Sequence, residues 1–221
     1  MRLICEYLNL IIEKYNHKDF FFIEIGAHDG VYIDPIYRFV TKHGWRGILV
    51  EPVPYLFKKL MQNYTGYTGL TFENAAISNT DDEREFYYLQ KVIDGKDLSG
   101  VGSFDKDSWL KKKRKRCRNA EEKKWWIENV RPHFEKIYVP CLSYQSLLEK
   151  HSVKRLDLLQ IDVEGYDFDI IKQIDFNNVR PQIIHYEHSH LGLDTEASWN
   201  FLQEHGYELT KVYDNTLAVS R

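Results

Sequence analysis

Apolar and polar positions along this chain alternate between two rhythms. Short, nearly solid apolar runs are separated by stretches in which apolar residues recur every three or four positions. The solid runs read as strands buried on both faces, and the amphipathic stretches as helices packed on them. The first run, Phe20 to Ile25, is interrupted only by Glu24 and ends in Gly26-Ala27-His28-Asp29-Gly30. The second, Gly47 to Val50, ends in Glu51-Pro52. Between them a helix is expected to begin near Pro35 and to stop at His43-Gly44. A further helix, Tyr55 to Tyr64, and a third strand, about Leu70 to Ile77, complete the first half.

The rhythm then changes. Asp81-Asp82 reads as a turn and Glu85 to Leu89 as an added strand. From Ile93 to about Glu135 there is no strand-helix alternation, only a glycine-rich loop and a charged helical stretch. An insertion on the carboxyl edge of such a sheet is expected to form a lid, so 93–135 is assigned as lid and substrate insertion. Lys136 to Leu142 resumes as a strand, and Ser143 can cap a helix to about Lys150. Strands at Leu156 to Ile161 and Gln182 to Tyr186 follow, with helices at about Phe168 to Ile174 and Thr195 to His205. The last two strands, Tyr207 to Val212 and Thr216 to Val219, are joined by Asp214-Asn215 and read as a hairpin. Residues 1–18 form an expected N-terminal helical segment, too polar at Glu6 and Asn9 for a signal peptide or a membrane span. The pattern predicts one α/β domain over 1–221.

Composition narrows the class. The 221 residues are 43% hydrophobic and 29% charged, enough for one well-filled core. A net charge of -3 argues against general nucleic-acid binding as the main task. Cys5, Cys117 and Cys141 show neither paired nor metal-type spacing, which predicts a reduced, cytoplasmic protein. The loudest local feature is the basic run Lys111 to Arg118, flanked by Trp109, Trp125 and Trp126. It reads as a solvated helix face balanced by Glu121-Glu122, or as a patch that attracts an anionic acceptor. The tryptophans either stack on a ligand or anchor the lid.

The ends of the first two strands carry the candidate chemistry. Gly26 and Gly30 allow a tight turn and close ligand approach. Glu51 lies about 21 residues past Gly30, where an acid grips the two hydroxyls of a ribose. The glycine triplet of a dinucleotide site and the Gly-Lys-Ser/Thr phosphate loop are both missing. Two acids, Glu24 and Asp29, suit a cationic ligand better than a phosphate. S-adenosylmethionine, with a sulfonium, an amine and a ribose, satisfies all of this.

Glu24-x-Gly26-x-x-x-Gly30 with Glu51 resembles the cofactor site of class I methyltransferases. Together with Asn74-Ala75-Ala76, Asp162-Val163-Glu164-Gly165 and Arg180-Pro181-Gln182, it resembles the FkbM-type methyltransferases from about residue 20 onward. The resemblance implies a Rossmann-like, mostly parallel seven-stranded sheet with a C-terminal antiparallel hairpin and helices on both faces. It also implies S-adenosylmethionine as methyl donor and a hydroxyl of a sugar, glycan or other small natural product as acceptor. Glu24, Gly26, Gly30, Glu51, Asn74, Ala75 and Asp162 are the expected cofactor residues, with Asn74 and Ala75 near adenine.

Methyl transfer to a hydroxyl requires in-line alignment and removal of a proton. Asp162, Glu187 and His188 lie at the tips of adjacent strands and are the catalytic candidates. They form either a metal-free base with its orienting acid or a site for Mg2+ or Mn2+. Asp162 and Glu164 also suit a helix N-terminus, and His185, inside a strand, suits the core. Two alternatives remain open at this point: an RNA- or nucleotide-directed methyltransferase using the basic lid, and a non-catalytic binding module on the same fold.

Overall fold

A computed structural model describes residues 13–221 except Ile33 and Arg116. The helix expected from Leu3 to about residue 16 falls largely outside the described residues; 13–15 are helical. The chain then runs β1 (Phe21–Ile25), α1 (Tyr37–His43), β2 (Arg46–Val50), α2 (Pro54–Asn63) and β3 (Leu70–Glu73). Gly44 ends α1 with a left-handed φ of 65°, its N–H donated to the Val40 carbonyl. Pro54 opens α2, where a missing N–H costs nothing.

The strand expected from Leu70 to Ile77 is two strands. β3 stops at Glu73, and β4 (Ala76–Ser78) joins a different sheet. Asn74 sits at the break. Its side-chain amide donates to the carbonyls of Glu51 and Pro52, at 2.8 and 3.2 Å, and ties this point to the end of β2.

Next come β5 (Asp82–Tyr88), β6 (Val92–Ile93), β7 (Lys96–Asp97), β8 (Gly102–Ser103), α3 (Lys106–Lys115) and α4 (Ala120–Trp125). A π-helical turn at Trp126–Val130 and a 3-10 turn at Arg131–His133 lead into β9 (Glu135–Ser143). β5 and β9 pair antiparallel from Asp82 opposite Cys141 to Tyr88 opposite Glu135. The segment between them therefore grows from the end of a long ribbon. Leu89, Trp109, Leu110, Trp126 and Val130 give it a small core of its own.

α5 (Tyr144–Lys150) follows, capped as its sequence predicts by the Ser143 side chain on the Ser146 N–H. Then come β10 (Leu158–Ile161), α6 (Asp167–Ile171), β11 (Ile183–Glu187), α7 (Asp194–Glu204), β12 (Tyr207–Val212) and β13 (Asn215–Ser220). The main sheet has seven strands in the order β12-β13-β11-β10-β1-β2-β3. Only β13 runs against its neighbours, closing the C-terminal hairpin.

Both faces of the sheet are buried, as its solid apolar runs predict. Ile23, Ile48, Leu159 and Ile184 pack with Leu147 of α5, Ile170 of α6 and Leu202 of α7. Phe22, Leu49, Leu158 and Ile183 point the other way, onto Phe39 of α1 and Leu60 of α2. Each such side chain contributes roughly 1.5–3 kcal/mol by leaving water. Among the described residues no helix is long and apolar enough to cross a membrane.

Candidate active site

The strand order reverses at β1, which pairs with β2 on one side and β10 on the other. Ligands of open α/β sheets bind outside the carboxyl ends of the strands at such a point. A cavity of about 260 Å³ lies there. Gly26, Glu51, Ala75 and Asp162 line it from the sheet, and Phe104, Trp109 and Lys112 line it from the segment between β5 and β9.

Of the seven expected cofactor residues, Gly26, Glu51, Ala75 and Asp162 thus reach the cavity. Gly26 has φ 88°, and a Cβ there would lie 1.9 Å from the Asp162 carbonyl oxygen. Gly30 is different: a Cβ on it would meet Leu60 and Tyr64 at 2.5 Å, so its smallness serves packing under α2. Asn74 is committed to the Glu51 and Pro52 carbonyls rather than to a ring. Glu24 lies 4% exposed beneath the loop. Burial raises its carboxyl well above the usual range, and the neighbouring Asp34 raises it further. Asp34 is itself pushed up to about 6 by burial, against the Ile36 N–H and Glu24, which lower it. A side-chain hydrogen bond links the two acids. Asp34 also accepts from Tyr64 at 3.2 Å. The sequence signal for Asp34 is the Asp-Pro step before α1, a common turn-former.

Glu51 is held by the backbone. Its carboxylate accepts from the N–H of Val53 at 2.8 Å and of His28 at 2.9 Å. Burial pushes its carboxyl up to about 8 against those two donors. Each oxygen retains a lone pair for a ligand hydroxyl. His28 lies beside it on the cavity wall with a φ of 51°, its Nδ1 3.3 Å from Asp29.

The second group lies past the tips of β10 and β11. Asp162 opens onto the cavity. The protein packed around it raises its carboxyl well above the usual range, and Glu187, Asp167 and Glu164 add to this. Asp162 is itself exposed, which tempers that shift without reversing its direction. Asp167, fully buried, is pushed up to about 7 by burial and by Glu187, against the Gly165 N–H it accepts.

His188 does not join Asp162 and Glu187. Its Nδ1 lies 2.9 Å from the Thr216 hydroxyl, and its ring packs edge-on against Trp199. The backbone N–H groups of His188 and Ser189 both bond the Asp214 carbonyl of the C-terminal hairpin, which fixes this direction. His190 takes the place expected of His188. Its Nδ1 stands 3.0 Å from Glu187 and 3.1 Å from Glu164. Burial lowers its basicity, but the two carboxylates overcome this and lift it to about 10, so it is an imidazolium. Trp109 completes the cluster by donating its indole N–H to Glu164 at 2.9 Å. His185 is a core residue, bonded to Gln160 and pushed down to about 4 by burial.

The alternative of a metal held by Asp162, Glu187 and His188 is not supported. Among the described residues no three His, Cys, Asp or Glu side chains are grouped to hold an ion, and His188 turns toward Thr216. The basic run divides as well. Lys111, Arg114 and Lys115 are exposed, whereas Lys112 faces the cavity. Trp109 and Trp126 anchor the segment, their rings edge-on at 5.9 Å.

The sequence model of the methyltransferase FkbM domain matches residues 24–209. Among solved structures, the chain resembles the methyltransferase FkbM from Methylobacillus flagellatus KT at 10% identity and a TM-score of 0.51. That match covers 91% of this chain but 44% of the relative, so the chain spans less than half of that protein's length. The ribosomal protein L11 methylase from Lactobacillus delbrueckii subsp. bulgaricus matches at 10% identity and a TM-score of 0.44, over 96% of this chain and 76% of that one. The fibrillarin pre-rRNA processing protein of Methanococcus jannaschii matches at 9% identity and a TM-score of 0.43, over 92% and 67%. No curated protein matches significantly. The chain belongs to the FkbM methyltransferase family.

Proposed function

We propose that this chain is an S-adenosylmethionine-dependent O-methyltransferase acting on a hydroxyl of a sugar, glycan or other small molecule. The observation that carries the reading is Glu51. It ends β2 with its carboxylate on the cavity wall, oriented by two backbone donors and still able to accept from a diol. Gly26 supports it, since it lines the same cavity and its lack of a side chain lets β1 close onto the Asp162 carbonyl. These features fit the cofactor, with the ribose on Glu51, the adenine against Val53 and Ala75, and the methionine end beside Gly26 and Asp162.

When bound, the cofactor supplies a methyl group already activated by its sulfonium. The chain's own residues then align the acceptor and take its proton. Asp162 is the favoured base, because a carboxyl whose proton affinity is raised by burial and by neighbouring acids removes a hydroxyl proton more readily. Glu187 and Glu164, held by His190, keep negative charge beside it and sustain that basicity. Closure by Trp109 and its segment excludes water that would compete for the proton.

The deciding experiment is a calorimetric titration with S-adenosylmethionine and S-adenosylhomocysteine. Micromolar binding is expected, weakened at least tenfold in Glu51→Ala with the fold retained. Binding to neither molecule overturns the reading.

A further inference from the structure

Among the described residues, the cavity carries one lysine or arginine side chain on its lid side. Lys112 extends from α3 to the turn after β10, where its Nζ lies 3.4 Å from the Gly165 carbonyl. No ion pair among the described residues joins Lys112 to a carboxylate. Glu164 and Glu187 share the His190 imidazolium, and Glu164 also takes the Trp109 indole N–H.

The two neighbouring lysines on the same helix are placed differently. Lys111 is exposed to solvent. Lys113 lies over the rings of Trp109 and Trp126, at 5.7 and 5.4 Å, and so belongs to the segment's own packing. Lys112 alone of the three faces the space that an acceptor would occupy beside Asp162. Glu51, Asp105, Asp162 and Glu164 line the same cavity but none is in ion-pair contact with Lys112, so its ammonium is open to an anion that a ligand brings within reach.

Resting on the methyltransferase reading above, we propose that the acceptor is a small acidic molecule, and that Lys112 binds its carboxylate or phosphate group while Asp162 faces the accepting hydroxyl. Lys112 thereby selects acidic acceptors over neutral ones. The Ser108 hydroxyl, one helical turn earlier and also on the cavity wall, is positioned as a second donor.

The test uses the full chain saturated with S-adenosylhomocysteine, so that failure of cofactor binding is seen first and separately. D-glucuronate, inorganic phosphate and neutral D-glucose are then titrated as probes. Binding of glucuronate or phosphate, weakened about tenfold or more in Lys112→Met and unchanged in Lys111→Met, is the expected result. Glucuronate binding alone assigns a carboxylate acceptor, and phosphate binding alone a phosphorylated one. Equal weakening in both variants overturns the proposal in favour of a diffuse basic surface of the kind that attracts RNA. Glucose binding as well as the anions, no effect of Lys112→Met, or no anion binding to the cofactor-loaded protein each overturns it outright.

Discussion

A Cβ on Gly26 would stand 1.9 Å from the carbonyl oxygen of Asp162. The two residues end neighbouring parallel strands, and the Asp162 N–H bonds the Ile25 carbonyl at 2.9 Å. Contact this close holds only because position 26 has no side chain and adopts φ 88°. Gly26→Ala is expected to cost about 2–3 kcal/mol from strain and forced separation of the strand ends. A thermal melt should show the loss, and calorimetry should show S-adenosylhomocysteine binding abolished. A melt within a degree or two of the wild type would contradict the packing described.

On the proposed ribose contact, Glu51 should make cofactor binding depend on pH. Its folded value, about 8, lies above the ordinary carboxyl range, so the group is mostly protonated at neutral pH. Ribose hydroxyls donate to the ionised form. Affinity should therefore rise with pH toward about 8 and level off above it. Near pH 7, binding should release a proton, seen as a heat that differs between buffers of unlike ionisation enthalpy. Glu51→Gln should abolish the release. A flat profile with no proton released would remove Glu51 from the ribose.

His190 links stability to pH in the opposite sense. Its folded value, about 10, exceeds its unfolded value, so the contact with Glu164 and Glu187 stabilises fully below about pH 6.5. That contribution is lost as pH rises through about 10. At neutral pH, His190→Ala should cost about 3 kcal/mol, because it leaves two facing carboxylates without their cation. Denaturant melts of this variant and of His190→Ala with Glu187→Gln test the cause. The second change should restore part of the loss, and an additive further loss would deny the ion cluster.

Trp109 joins the inserted segment to the turn after β10. Trp109→Phe keeps most of the ring packing on Trp126 and Phe134 but deletes the donor to Glu164. It should weaken docking of the segment by about 1–2 kcal/mol with little change in global stability. Faster proteolysis within residues 93–135 and a several-fold faster release of S-adenosylhomocysteine are expected. Unchanged rates for both would mean that packing alone holds the segment.

The local pattern of the chain was enough for its framework. Runs at Phe20–Ile25, Gly47–Val50 and Leu156–Ile161 read as strands buried on both faces, since apolar residues dominate them and only Glu24, Asp157 and Gln160 interrupt. Gly44, Pro54 and Ser143 mark helix ends through backbone chemistry that needs no tertiary partner. Gly26 and Glu51 were legible for the same reason, because each sits one step past a strand whose direction is already known.

What tertiary structure alone decided is where side chains go once the strands end. Gly30 reads as a ligand glycine until α2 is seen packed on it. Asn74 reads as a cavity residue until its amide meets two carbonyls at the end of β2. His188 and His190 are alike in local sequence, and Asp214 separates them: its carbonyl, on a hairpin remote in sequence, pins the loop so that one ring meets Thr216 and the other meets two acids. Periodicity fixes which face a strand or helix buries. Beyond an element's last residue there is no period, and the direction of each side chain is set by contacts that only the folded chain supplies.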